Sequence, residues 1–151
     1  MKVLVTGGAG FIATNFMYYM VNKYPEYDFV NLDALTYAGN YNNIKDLEGK
    51  PNYKFVKGDI TDREFIDKLF EEEKFDWVVN FAAESHVDNS IKNPGIFLTT
   101  NILGTQVLMD ASRKYGVKRY HQVSTDEVYG ALDMNPEHKF TENTPYNPHN
   151  P

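Results

Sequence analysis

A glycine-rich turn between a short apolar strand and a helical segment constrains this chain more than any other feature. Residues Thr6-Gly7-Gly8-Ala9-Gly10-Phe11-Ile12-Ala13 follow a β-rich run at 2–6. The segment beyond carries Ile12, Phe16, Tyr19 and Met20 at helical spacing, which predicts a helix that buries this face. Strand, glycine turn and helix in that order can hold a phosphate: glycines let the backbone approach closely, and the free N–H groups at the positive end of the helix dipole favour an anion. A tight connection with no ligand is the plain alternative. Ala13 stands where the pattern usually has a third glycine, and one extra methyl group shifts the helix slightly without removing the site.

The pattern continues as alternating strands and helices. A second strand is read at 27–32, and a third at 53–56 after a polar loop holding Gly39, Asn40, Asn42 and Asn43. Asp62 caps a helix running to about Glu73, with Phe65, Ile66, Leu69 and Phe70 inward. Residues 76–81 read as a strand buried on both faces, because Trp77, Val78 and Val79 are consecutively apolar. One long helix is expected from Pro94 to Tyr115, stopped by Gly116, then a fifth strand at 119–124 and an irregular loop from Thr125 onward. Strands joined by helical crossovers pair in parallel with right-handed connections. The fold class is therefore α/β, a doubly wound parallel sheet of the Rossmann kind in three α/β/α layers, with strand order 3-2-1-4-5 and a crevice at the carboxyl ends of strands 1 and 4.

Asp33 ends the second strand about twenty residues beyond the glycine turn, where a carboxylate can accept both ribose hydroxyls of an adenosine and repel a 2′-phosphate. NAD is thus expected over NADP. The net charge of −6 argues against a nucleic-acid partner. No apolar run approaches the roughly 20 residues of a membrane span, and the apolar start is too short for a signal peptide, so a cytoplasmic location is expected. With no cysteine and four scattered histidines, no metal site is expected.

Five stretches carry a resemblance to a known family: Thr-Gly-Gly-Ala-Gly-Phe-Ile at 6–12, Leu-Asp-Ala-Leu-Thr-Tyr-Ala-Gly-Asn at 32–40, Gly-Asp-Ile at 58–60, Ala-Ala-Glu-Ser-His-Val-Asp at 82–88 and Ser-Thr-Asp-Glu-Val-Tyr-Gly at 124–130. Together they closely resemble the dTDP-glucose 4,6-dehydratases of the extended short-chain dehydrogenase/reductase superfamily. The resemblance implies a reaction in which NAD oxidises the sugar at C4, water leaves across C5 and C6, and hydride returns to C6. It implies that Asp126 is the acid and Glu127 the base of the elimination, and that Thr125 contacts the sugar near its C4 oxygen. Without the resemblance, Asp126 and Glu127 read equally well as loop carboxylates capping backbone amides.

The same resemblance implies that Gly7, Gly10, Phe11 and Ile12 line the pyrophosphate, Asp33, Ala34, Leu35 and Thr36 the adenosine ribose, and Asp59 and Ile60 the adenine. Phe81, Ala82, Ala83 and Glu84 would border the nicotinamide half, with Thr100 another cofactor neighbour and Ser85 a substrate contact. The triplet Glu71-Glu72-Glu73 reads as a solvated helix end. The helix at 94–115 is apolar on more than one side, through Leu98, Ile102, Leu103, Val107 and Leu108. One side should cover the sheet, and the resemblance implies that the other meets a second copy in a homodimer, since related enzymes dimerise through a bundle that includes this helix.

The superfamily's Tyr-x-x-x-Lys pair, which serves the hydride step, does not occur at a suitable place. Family pattern puts it directly after Pro151, so the chain is expected to be a fragment that binds NAD but turns over little, lacking that pair and the sugar-nucleotide domain. A UDP-sugar epimerase or decarboxylase of the same superfamily, and a non-catalytic NAD-binding domain, remain alternatives.

Overall fold

The computed structural model describes residues 1–134 and 137–149. In chain order it runs β1 (Lys2–Thr6), α1 (Phe11–Lys23), β2 (Asp28–Asp33), β3 (Tyr53–Lys57), α2 (Arg63–Glu73), β4 (Trp77–Asn80), α3 (Val87–Lys92), α4 (Pro94–Phe97), α5 (Thr105–Lys114) and β5 (Arg119–Gln122). The strands form one sheet in the order β3-β2-β1-β4-β5, every neighbouring pair parallel. This is the doubly wound arrangement read from the sequence. Connections leave the central β1 in both directions, so a crevice opens where the carboxyl ends of β1 and β4 part.

Residues of opposite parity along each strand feed separate cores. Leu4, Val30, Leu32 and Val78 pack with Ile66, Leu69 and Phe70 of α2 and Val107, Leu108 and Ala111 of α5. Val3, Val5, Phe29 and Val79 pack on the other face with Met17 and Val21 of α1 and with Leu47. Burial on both faces explains why the central strands are apolar without a break. Leu4, Met17 and Phe70 are fully enclosed, and burying each such side chain contributes about 1.5–3 kcal/mol.

Four sequence expectations are corrected. The buried face of α1 is Ala13, Thr14, Met17 and Val21, not the one containing Ile12 and Tyr19, which are exposed. The largest apolar residues suggested one stripe, but small Ala13 and Thr14 let the helix approach the sheet closely. The helix at 94–115 is not continuous α-helix: Leu98–Gly104 winds as a seven-residue π-helix between α4 and α5. Wider turns of this kind disturb regular side-chain spacing and often mark functional positions. Residues 126–129 form a 3₁₀ turn inside the expected loop, and α3 was not anticipated.

Glu73 is the fourth correction, because it is no solvated helix end. Its carboxylate, 11% exposed, receives Lys2 Nζ of β1 at 2.8 Å and Lys54 Nζ of β3 at 2.5 Å. Hydrogen bonds from these two lysines, Lys2 first, hold the Glu73 carboxyl below its usual range. A depressed folded-state pKa stabilises above the unfolded value of roughly 4.3 and is lost as pH falls through the folded value. Glu73→Gln should therefore lower stability to urea by about 1 kcal/mol at pH 7, with both lysines partly open to solvent. That difference should shrink below about pH 4, and a constant difference down to pH 2.5 would show that the ion pairs are not its source.

Candidate functional site

The turn between β1 and α1 is built around a close approach. Gly7 has φ +69°, its N–H donates to Leu32 C=O at 2.8 Å, and a Cβ there would lie 2.8 Å from both N and Cα of Ala82. Gly10 N–H donates back to Gly7 C=O at 3.1 Å and Thr14 N–H to Gly10 C=O at 2.9 Å, which starts the 13-residue helix α1. No side chain caps that helix, and Gly10 is its N-cap. Helix geometry leaves the first-turn N–H groups of Phe11 and Ile12 without intrahelical acceptors. Their side chains are 84% and 68% exposed, so the turn offers backbone dipoles at the mouth of the crevice.

Asp33 is enclosed at the end of β2. Its Oδ2 accepts from Ala9 N–H of the glycine turn at 2.8 Å, and its Oδ1 from Leu35 N–H at 2.7 Å. Leu35 adopts φ +54°, an uncommon conformation for a side chain branched beyond Cβ, and so turns its N–H onto the carboxylate. A carboxylate has about four acceptor positions. Two are used, which leaves capacity for ribose hydroxyls. Ala34 is half-buried and Thr36 exposed beside it. On the adjoining β3 side, Asp59 Oδ1 accepts from both the N–H and the hydroxyl of Thr61 at 2.8 Å. Neighbouring Ile60 is buried under Gly104, where a Cβ would lie 2.7 Å from Ile60 Cδ1. The last π-helical residue must be this small for α5 to press against the expected adenine side.

A buried polar network fixes the end of β4. Thr6 Oγ1 donates to Asn80 Oδ1 and accepts from Ala82 N–H at 3.3 Å, and Asn80 Nδ2 donates to Gln122 Oε1 at 2.9 Å. Tyr120 donates to the same Gln122 oxygen at 3.0 Å, and burial pushes its hydroxyl up to about 12. Phe81 N–H donates to Thr6 C=O at 3.1 Å and its ring meets Phe16. Beyond half-buried Ala82 and exposed Ala83 the chain reaches Glu84, which is 8% exposed. Asn101, in the π-helix, grips the Glu84 backbone from both sides: Glu84 N–H donates to Asn101 Oδ1 at 2.8 Å and Asn101 Nδ2 donates to Glu84 C=O at 2.9 Å. The Tyr37 hydroxyl donates to Glu84 Oε2 at 3.0 Å. Burial of that hydroxyl, followed by the carboxylate, raises its pKa and keeps it a donor. Ser85 is exposed and Thr100 half-buried on either side of this clasp.

Thr125, Asp126 and Glu127 follow β5, whose exit is tied to β4 by Val123 N–H donating to Asn80 C=O at 3.0 Å. All three are exposed. Thr125 is extended, and its hydroxyl accepts from Glu127 N–H at 3.1 Å, capping the 3₁₀ turn. The segment after it folds back: Asn147 N–H donates to Val128 C=O at 3.0 Å, and Tyr129 packs against Phe140 and Tyr146. Thus the three candidate catalytic residues and the 81–85 segment lie on adjacent strand ends. Pairs with Tyr-x-x-x-Lys spacing do exist at Tyr19 and Lys23, Tyr41 and Lys45, and Tyr53 and Lys57. The first two side chains bond to each other on exposed positions of α1, the second pair lies in the loop after β2, and the third occupies the two ends of β3.

The uncapped helix end, the partly used Asp33 carboxylate and the glycine approach to Ala82 fit a dinucleotide. Among the described residues no group of three His, Asp or Glu side chains is gathered to hold a metal, and no helix is long and apolar enough to cross a membrane. A small cavity of about 60 Å³ between α2 and α5 is lined by Arg63, Asp67, Asp110 and Lys114, which are engaged in ion pairs with one another. Sequence reading quoted Thr6 and Tyr37 within motifs but gave them no role of their own, and it missed Asn80 and Asn101. Asn80 left the fairer signal, an amide in an otherwise apolar stretch.

The GDP-mannose 4,6 dehydratase family model matches residues 4–151. The chain is 51% identical over 151 residues to a dTDP-glucose 4,6-dehydratase of Mycobacterium tuberculosis, covering 100% of this chain and 44% of that relative. It therefore spans less than half the length of the relative it matches. A dTDP-glucose 4,6-dehydratase from Bacillus anthracis, solved in complex with NAD, superposes with a TM-score of 0.87 at 46% identity, over 100% of this chain and 45% of that one. Another from Streptomyces venezuelae, with NAD and TYD bound, gives a TM-score of 0.89 at 42% identity, over 99% and 46%.

The two outer glycines of the turn should respond differently to a methyl group. Gly7→Ala forces a left-handed conformation and a collision with backbone, and should cost at least about 2 kcal/mol in urea denaturation. Gly10→Ala, with φ −76° and its nearest contact 3.2 Å away, should cost about 1 kcal/mol or less. Equal costs would mean that the approach to Ala82 does not set the shape of the turn.

Proposed function

The chain belongs to the GDP-mannose 4,6-dehydratase family, and on that premise we propose that residues 1–151 form the NAD-binding Rossmann part of a sugar-nucleotide 4,6-dehydratase that acts on dTDP-glucose. The observation that carries this reading is that the Thr125-Asp126-Glu127 turn follows β5, the neighbour of β4 in the sheet, on the side of the sheet where the uncapped α1 follows β1. The family resemblance and the NAD held by similar solved dehydratases support it.

In this reading the N–H groups of Phe11 and Ile12, with Gly7 and Gly10, hold the pyrophosphate, and Asp33 with Ala34, Leu35 and Thr36 holds the adenosine ribose. Asp59 and Ile60 flank the adenine, and Phe81 to Glu84 with Thr100 flank the nicotinamide half. NAD, when bound, supplies the hydride acceptor and donor for the sugar. The C4 hydroxyl proton lost in that oxidation would need a base outside these residues, and this chain's residues would serve the proton transfers of the elimination. Thr125 hydrogen-bonds the sugar near its C4 oxygen, and Ser85 makes a further contact. A ketone at C4 acidifies the C5 proton, which Glu127 removes. The C6 hydroxyl leaves with a proton from Asp126, and the C5–H electron pair becomes the new C5–C6 double bond.

No Tyr-x-x-x-Lys pair among the described residues follows β4 or β5, so these residues by themselves should turn over little or not at all. Ile91 of α3, Leu98, Ile102 and Leu103 of the π-helix and Met109 of α5 are each exposed, which supports a homodimer of the whole enzyme. A cytoplasmic location goes with this reading, since NAD and activated sugars are metabolites of that compartment.

The test is a chimera in which residues 1–151 replace the matching stretch of the Mycobacterium tuberculosis relative. With dTDP-glucose it should form a product with a methyl group at C6, visible by proton NMR. Asp126→Asn and Glu127→Gln should each lower the rate about 100-fold or more. A chimera that inverts C4 without making a methyl group, or variants as fast as their parent, would contradict the reading.

A further inference from the structure

The loop after β2 is tied down at three points that straddle the glycine turn. Its start is held by Asp33, which accepts from Leu35 N–H. Its far end is held by Asn40, whose N–H donates to Ala9 C=O within the glycine turn at 3.1 Å. Between them, Gly39 N–H donates to Thr36 C=O at 3.1 Å and folds residues 36–39 into a tight turn. Gly39 sits so low over the carboxylate that a Cβ would lie 2.6 Å from Asp33 Oδ1. From this turn Tyr37 reaches the opposite bank, 47 positions away in sequence, and donates to Glu84 at 3.0 Å.

Glu84 is a firm post for such a contact. It is buried, and Asn101 fixes its backbone by the reciprocal pair of hydrogen bonds. The Asn89 side chain and the His86 backbone also face the Tyr37 hydroxyl beside Glu84. The Tyr37 residue is nonetheless 61% exposed. It therefore adds little to the core, and its hydroxyl joins the β2 side of the crevice to the β4 side.

We propose that Tyr37 is a latch: its hydrogen bond to Glu84 holds residues 34–40 as a strap across the crevice, and a dinucleotide seated on the glycine turn is retained until that bond opens. This rests on the NAD reading above and adds to it a determinant of how long the cofactor stays. A ligand under a strap leaves at a rate set by the fraction of time the strap is open. A hydrogen bond to a carboxylate is strong enough for its loss to raise that fraction roughly tenfold or more. Tyr37 acts through the strap and is a positioning residue.

The experiment is displacement of 1,N6-etheno-NAD from the chain by excess NAD, followed by stopped-flow fluorescence. Tyr37→Phe keeps the ring and removes the donor; release should quicken about tenfold while the ligand-free melting temperature stays within about 2 °C of the parent. Glu84→Gln weakens the same bond, so it should quicken release by a larger factor in the parent than in the Tyr37→Phe background, where the bond is already gone. Release from Tyr37→Phe at the parent rate would overturn the latch alone, with the cofactor reading intact. An equal factor from Glu84→Gln in the two backgrounds would overturn the hydrogen bond as its cause. A parent chain that takes up neither nucleotide would overturn the cofactor reading and the latch with it.

Discussion

The close approach of Gly7 to Ala82 is the constraint on which the rest of the crevice depends. The exits of β1 and β4 run so near each other that a single Cβ at Gly7 would meet the Ala82 backbone. Because Gly7 tolerates φ +69°, the chain can turn there, and α1 begins with its first-turn N–H groups facing the opening. The same proximity lets Thr6 join Asn80 and Ala82 through one hydroxyl. Strand ends, helix start and the 81–84 segment are thereby fixed by one another.

An acidic chain that is proposed to receive a diphosphate needs positive potential from somewhere other than its side chains. With net charge −6, that potential comes from the uncapped end of a 13-residue helix whose N-cap is glycine. A carboxylate sits close by without spoiling it, since Asp33 spends its charge on the N–H groups of Ala9 and Leu35. Asp33 thus has two tasks, tying the glycine turn to β2 and presenting its remaining acceptor positions to whatever lies beside it. The π-helix contributes in a comparable way on the other bank. It delivers Asn101 to Glu84 and ends on Gly104, where the helix must come close to Ile60.

Much of this was legible in the sequence, and the reasons divide cleanly. Strand order followed from strand–helix alternation and handedness, which need only coarse element boundaries. The turn 7–10 and Asp33 were legible because their spacing reflects backbone geometry local to one strand–turn–helix unit. The buried face of α1 was misread because size was taken for burial: Ile12 is large and exposed, whereas Ala13 is small and enclosed. The π-helix was not legible because no residue pattern distinguishes its wider turn from an α-turn. Glu73 was misjudged because its lysine partners come from β1 and β3, distant in sequence. Asn101 was missed, and Tyr37 given no role, for the same reason, each acting through Glu84.

Calorimetric titration of the chain with NAD and with NADP tests the central claim, that this crevice is an NAD site governed by the uncapped helix and Asp33. NAD should bind at least about tenfold more tightly, a difference of about 1.4 kcal/mol, and Asp33→Asn should narrow that gap by removing the charge that repels a 2′-phosphate. Equal affinity for the two nucleotides, or binding of neither, would contradict it.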